Sequence, residues 1–181
     1  MCGFSKKHDL RKSMTKIGLL SDTHSYLDPK VFKYFTNVDE IWHAGDIGNA
    51  EVTDELAKFK PLRAVYGNID DHQVRAEFPE NQIFTLDGVK VVITHIGGYP
   101  HKYYRGIPEL LSIEKPDLFI CGHSHILKVM YDKKLQLLHM NPGAAGFHGF
   151  HKVKTLLRFE LNNGKIENLE AIELGPRTSK Q

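Results

Sequence analysis

Ile17-Gly18-Leu19-Leu20-Ser21-Asp22-Thr23-His24 is the stretch that decides the architecture. Its apolar run is too short for a helix, and the polar cluster that ends it suits a loop leaving a strand. The same grammar recurs along the chain. Ile41 to Ala44 ends at Gly45-Asp46, Leu62 to Tyr66 at Gly67-Asn68, and Leu118 to Cys121 at Gly122-His123-Ser124-His125, while Val89 to Ile93 runs up to His95. An α/β sheet gathers the carboxyl ends of its strands along one edge, so these clusters are expected to meet there.

Between the runs lie helix signals. Asp28-Pro29 supplies a cap and a first-turn proline, and Val31, Phe32 and Phe35 give the short helix one buried face. Val52, Leu56 and Phe59 recur at helical spacing ahead of Pro61. Strand and helix thus alternate to about residue 70, which argues for parallel strands with crossover helices. The style then changes. Ile83 to Leu86 and Val89 to Ile93 flank the hairpin turn Asp87-Gly88, Pro108 to Ser112 is helical, and Pro116 interrupts. Val129 to Tyr131 with Leu135 to Met140, and Thr155 to Leu161 with Ile166 to Glu173, read as two more hairpins. These are expected to pair as a second sheet against the first. The fold is read as an α/β sandwich of two mixed β-sheets flanked by helices, one domain over 16–175 between a basic tail (1–15) and a C-terminal tail (176–181).

The chain has 181 residues, 24 lysines and arginines against 22 acidic residues, and a formal charge of +2. That balance gives no general attraction for nucleic acid, and no run reaches the ~18 apolar residues of a membrane span. Cys2 and Cys121 form neither a CxxC pair nor a disulfide framework, which suits a cytoplasmic setting, with Cys121 in the core. The basic residues Lys6, Lys7, His8, Arg11 and Lys12 read as a solvated terminus.

Asp22, His24, Asp46, Asn68, His95, His123 and His125 are all competent metal ligands. A carboxylate can bridge two cations whereas imidazole offers one nitrogen to one, so Asp46 is the natural bridge. Asp22 and His24, two residues apart, project to one side of an extended backbone and can reach one ion. Asn68 adds a neutral oxygen without charge repulsion. Each motif alone is weak; together, each after an apolar run, they point to a pair of metals.

This order of motifs resembles the calcineurin-like metallophosphoesterases, and most closely their small single-domain branch, over about Lys16 to Gly146, where Asn141-Pro142-Gly143 also matches. The resemblance implies that positions Asp22, His24, Asp46 and His125 hold one metal and Asp46, Asn68, His95 and His123 the other. It further implies a phosphoesterase, read here as a phosphodiesterase, in which two divalent ions share a hydroxide for in-line attack on phosphorus. Manganese is the expected metal, with iron, zinc, nickel, cobalt or magnesium compatible with the same donors.

One position departs from the pattern. Many relatives carry a histidine after the asparagine as an acid for the leaving group, and here Ile69 stands there. Isoleucine donates no proton, which leaves the general acid unassigned and favours substrates with good leaving groups. The Gly97 to Gly106 stretch combines glycines, cations and aromatics, and His101 and Arg105 are its candidate substrate contacts. His43 is expected beneath the site, Asp70-Asp71-His72 reads as a polar turn, and His139, His148 and His151 read as ordinary polar residues. The expected partner is a small phosphoester. The alternatives are a phosphomonoesterase and a non-catalytic scaffold on the same fold. A barrel amidohydrolase is excluded by length and a zinc deaminase by the missing Pro-Cys-x-x-Cys signature.

Overall fold

The computed structural model describes residues 14–178, so the basic stretch Met1 to Ser13, with Cys2 and His8, lies outside the described residues. The Ile17–Leu20 run forms β1 (Met14–Leu20), followed by α1 (Lys30–Tyr34), β2 (Glu40–His43), α2 (Ala50–Phe59) and β3 (Leu62–Ala64). β2 pairs in parallel with both β1 and β3, as strand and helix alternation requires. Asp28 starts α1 by accepting from the Lys30 amide at 2.9 Å.

After α3 (His72–Glu77) come the hairpin β4 (Asn81–Leu86) and β5 (Val89–Thr94), a small ribbon of β6 (Gly98–Tyr99) and β7 (Lys102–Tyr103), and α4 (Ile107–Glu114). The chain continues through β8 (Leu118–Ile120), β9 (Leu127–Asp132), β10 (Leu137–Pro142), β11 (Val153–Asn162) and β12 (Lys165–Pro176). One five-stranded sheet has the order β12-β11-β1-β2-β3 and the other β4-β5-β8-β10-β9. Both are mixed. The allocation of strands differs from the sequence expectation: the last hairpin joins the first sheet, through antiparallel pairing of β11 with β1, and the Asp87-Gly88 hairpin belongs to the second sheet. Pairing partners are set by packing across the whole chain, which a local pattern does not contain.

Ile17, Leu19 and Trp42 from the first sheet meet Val91, Ile93 and Ile120 from the second in a fully buried inter-sheet core. Trp42 packs edge-on against Phe84 and Phe159 at centroid distances of 5.2 and 5.6 Å. Val31 and Leu56 of α1 and α2 cover the outer face of the first sheet, and Ile107 and Leu111 of α4 cover that of the second. Helix α3 was not legible in the sequence, where Asp71 and His72 read as a turn. Asp71 is its cap, accepting from the Gln73 and Val74 amides.

Candidate metal centre

β1, β2 and β3 of one sheet and β5 and β8 of the other deliver Asp22, Asp46, Asn68, His95 and His123 from their carboxyl ends to one edge of the sandwich. The loops there are cross-tied. The Asp22 amide donates to Gly45 O, the His24 amide to Asp46 O and the Gly122 amide to His95 O, each at 3.0 Å. Asp22, His24, Asp46, His123 and His125 all have positive φ, between 48° and 67°. Left-handed backbone at a non-glycine residue costs about 1–3 kcal/mol, and its concentration at five candidate ligands marks a site held against local preference.

Ligand atoms of Asp22, His24, Asp46 and His125 lie within 4.8 Å of one another, and so do those of Asp46, His95 and His123. Asp46 belongs to both groups. Within them His125 Nε2 is 3.1 Å from Asp22 Oδ1, His95 Nε2 3.1 Å from Asp46 Oδ1, His24 Nε2 3.4 Å from His125 Nε2, and His24 Nε2 3.7 Å from Asp46 Oδ2. Donors bound to one cation at about 2.1 Å stand roughly 3.0–3.4 Å apart, so most of these separations match edges of a coordination shell.

His95 carries the sharpest fit test. Its Nδ1 donates to Ala44 O at 2.8 Å, which in the neutral ring leaves a lone pair on Nε2. That nitrogen is buried without a well-aligned hydrogen-bond partner and faces a carboxylate oxygen. Two lone pairs so opposed require a cation, either a metal or a proton.

Charges in the centre act on its histidines in two directions. Burial alone would lower His95, but the close approach of Asp46 and the charges of Asp22 and Asp46 outweigh it and raise the pKa. His125 follows the same course, burial being overcome by its bond to Asp22. In His24 and His123 burial prevails and the pKa falls. Burial would raise Asp46, yet the bond to His95 and its charge bring the carboxyl below its ordinary range.

Beneath the ligands, His43 accepts from the Gly45 amide at Nδ1, so its Nε2 donates to Thr23 Oγ1 at 2.9 Å, and that hydroxyl donates to Ile47 O. Burial pushes His43 down to about 4, which keeps this relay neutral. Asp70, 4% exposed, accepts from the Gly48 and Gly67 amides, each at 2.7 Å, and so ties the Asp46 loop to the Asn68 loop. Arg75 donates to the carbonyls of Gly67, Asn68 and Asp70. Asn141 donates to Gly122 O and Ser124 Oγ, bracing the loop that carries His123 and His125. A methyl group on Gly67 would stand 2.1 Å from Asp46 Oδ1, so only glycine lets that carboxylate sit where it does.

His148 and His151 are not ordinary surface residues. The His148 ring lies 4.7 Å from that of His24, and the His151 ring 5.4 Å from that of His125. The signal was the histidine-rich Gly146 to His151 run immediately after Asn141-Pro142-Gly143. Arg105 lines a cavity together with Asn68 and His95, whereas His101 lies in a separate hollow with Tyr103 and Asp132. Ile69 is 45% exposed beside the centre, and its amide donates to Asp46 Oδ1 at 3.1 Å. Among the described residues no helix is long and apolar enough to cross a membrane.

Residues 15–164 match the model of the calcineurin-like phosphoesterase superfamily domain. A probable metallophosphoesterase of Methanothermobacter thermautotrophicus is 31% identical over 135 residues, covering 71% of this chain and 76% of that protein. Among solved structures, a predicted phosphoesterase of Streptococcus pneumoniae shares the fold at a TM-score of 0.66 and 20% identity, covering 89% of this chain and 90% of the other. Vps29 of Entamoeba histolytica, solved in complex with zinc, shares it at a TM-score of 0.62 and 19% identity, covering 87% and 98%.

Proposed function

The chain belongs to the calcineurin-like phosphoesterase superfamily, and from that premise we propose that it is a phosphodiesterase that works with two divalent cations, manganese being the one the family resemblance implies among several that its mixed nitrogen and oxygen donors accept. The observation that carries the reading is the pair of ligand-atom groups sharing Asp46. Asp22, His24, Asp46 and His125 would hold one cation, and Asp46, His95 and His123, with Asn68, the other. When bound, such a pair lowers the pKa of water and neutralises charge on phosphoryl oxygens.

The chain's own residues set the rest. The Ala44 carbonyl fixes the His95 tautomer, and Asp70, Arg75 and Asn141 hold the ligand loops in place. Ile69 supplies no proton to a departing alkoxide, which favours diesters with stabilised leaving groups. Arg105 is proposed to contact the substrate, whereas His101, the other candidate of that loop, lies in a separate hollow. A cytoplasmic setting belongs to the same proposal and rests on cysteine usage alone.

The test is metal-dependent hydrolysis of a chromogenic phosphodiester and its monoester analogue by wild type and Asp46→Asn, with manganese compared against iron, zinc, nickel, cobalt and magnesium. Diester turnover lost in the variant is the expected result, and a preference for the monoester would reassign the chain to phosphomonoesters. A second reading, a protein-binding scaffold, is favoured by Ile69 and by the apolar residues Leu127, Val129 and Tyr131 exposed on edge strand β9. Absence of turnover with every metal, together with a stable protein partner, would establish it instead.

A further inference from the structure

The two flanks of the metal centre are built differently. On the side of His24 and His125 the loop of residues 146–151 stands as a wall, with His148 packed on His24 and His151 on His125. On the side of Asn68 and His95 the surface falls into a cavity of about 530 Å³. A phosphoryl group with a methyl arm fills only a small part of such a volume, which lies in the range used for small organic ligands.

We propose that this cavity receives one alcohol arm of a phosphodiester and selects a planar aromatic arm of nucleoside size, an inference that rests on the phosphoesterase reading above. Tyr104, a residue that is 57% exposed, lines the cavity and offers an aromatic side chain for stacking. Asn81, at the start of β4, offers both a donor and an acceptor to a heteroaromatic edge. Ile107 and Leu110 of α4 supply apolar lining. Arg75 also borders the cavity, but its guanidinium is spent on three carbonyls and lies over the Tyr66 ring, 4.5 Å from its centre. Arg105 lines the same cavity and is the cation that would meet a ligand there. With one flank walled and the other open and aromatic, an arm attached to phosphorus at the metals extends toward Tyr104.

The test uses the metal-loaded full chain and two diesters with one leaving group, the 4-nitrophenyl ester of thymidine 5′-phosphate and methyl 4-nitrophenyl phosphate. The expected kcat/KM for the nucleoside ester is at least about tenfold higher, the scale of discrimination that contact with one aromatic group delivers. In Tyr104→Ala that ratio falls toward one. Equal kcat/KM for both esters, or a ratio that Tyr104→Ala and Arg105→Ala leave unmoved, would overturn the proposal. Calorimetric binding of thymidine 5′-phosphate against methyl phosphate is measured in parallel. If neither diester turns over, the hydrolase reading falls, and the cavity is judged by binding alone: tighter binding of the nucleotide upholds its selectivity and equal binding overturns it.

Discussion

Gly149 backs directly onto His125: a Cβ placed on residue 149 would stand 2.0 Å from His125 Nδ1, and the glycine holds φ at +111°. The imidazole is therefore positioned from behind by backbone, while its Nε2 faces Asp22 and His24. Any side chain at 149 pays twice, in backbone strain and in a displaced ligand.

Gly149→Ala is accordingly expected to weaken binding of the cation proposed for Asp22, His24, Asp46 and His125 about 10–100-fold, the range seen when groups supporting a ligand are lost. The group around His95 and His123 should be less affected. Metal content after dialysis, measured by atomic emission, should fall from two toward one per chain; a full complement would show that the loop yields without moving His125.

Metal affinity should depend steeply on pH near neutrality. The carboxylates of Asp46 and Asp22 raise His95 and His125 above the ordinary histidine value of 6.5, so protons occupy these rings before an isolated histidine would protonate. As pH falls through that window each proton must be expelled for a metal to bind. Once these rings are protonated, apparent affinity for each cation is expected to drop about tenfold per pH unit, one proton being expelled from His125 or from His95 per cation, whereas His24 and His123, with lowered pKa values, compete only at lower pH. Competition titrations with a chromogenic chelator between pH 5.5 and 8 would show the slope, and a flat profile would contradict this assignment.

The loop after β1 is anchored by charge in the interior. Lys154 Nζ lies 2.6 Å from Asp28 Oδ2 with both side chains almost wholly buried, and the ammonium sits over the rings of Phe147 and Tyr26. This links α1's entry, strand β11 and the 146–151 loop in one contact. Lys154→Ala should destabilise the fold by about 3–5 kcal/mol, because it strands a buried carboxylate. Lys154→Met with Asp28→Asn should recover most of that loss. Urea unfolding of the single and double variants measures the coupling, and additive losses would show that the pair contributes nothing specific.

Ile69→His places a proton donor where the exposed isoleucine now stands, and the hydrogen bond from the residue 69 backbone amide to Asp46 Oδ1 survives the change. Turnover of alkyl phosphodiesters should rise about 100-fold, with a smaller change for nitrophenyl esters, whose leaving groups need no acid. A plot of rate against leaving-group pKa should become shallower. An unchanged slope would mean that the acid is supplied elsewhere.

Much of the centre was legible because its ligands follow a rule of local pattern. Each candidate sits where an apolar run stops, so Asp22, Asp46 and His123 were found together with the strands that carry them. The supporting contacts followed no such rule. Asp70 and Arg75 matter through hydrogen bonds to backbone groups of neighbouring loops, and His148 through its packing on a ring 124 positions earlier in the chain.

The sequence by itself determined most element types, the alternation of strand and helix through residue 70, the hairpins, and the candidate donors that meet at one edge, because apolar periodicity and ligand chemistry reside in neighbouring residues. Tertiary structure alone decided which sheet each hairpin joined, that Arg105 and His101 of one loop face different hollows, and that glycine backbone stands directly behind His125. Those outcomes depend on long-range packing and the close approach of distant backbone, quantities that no window of sequence contains.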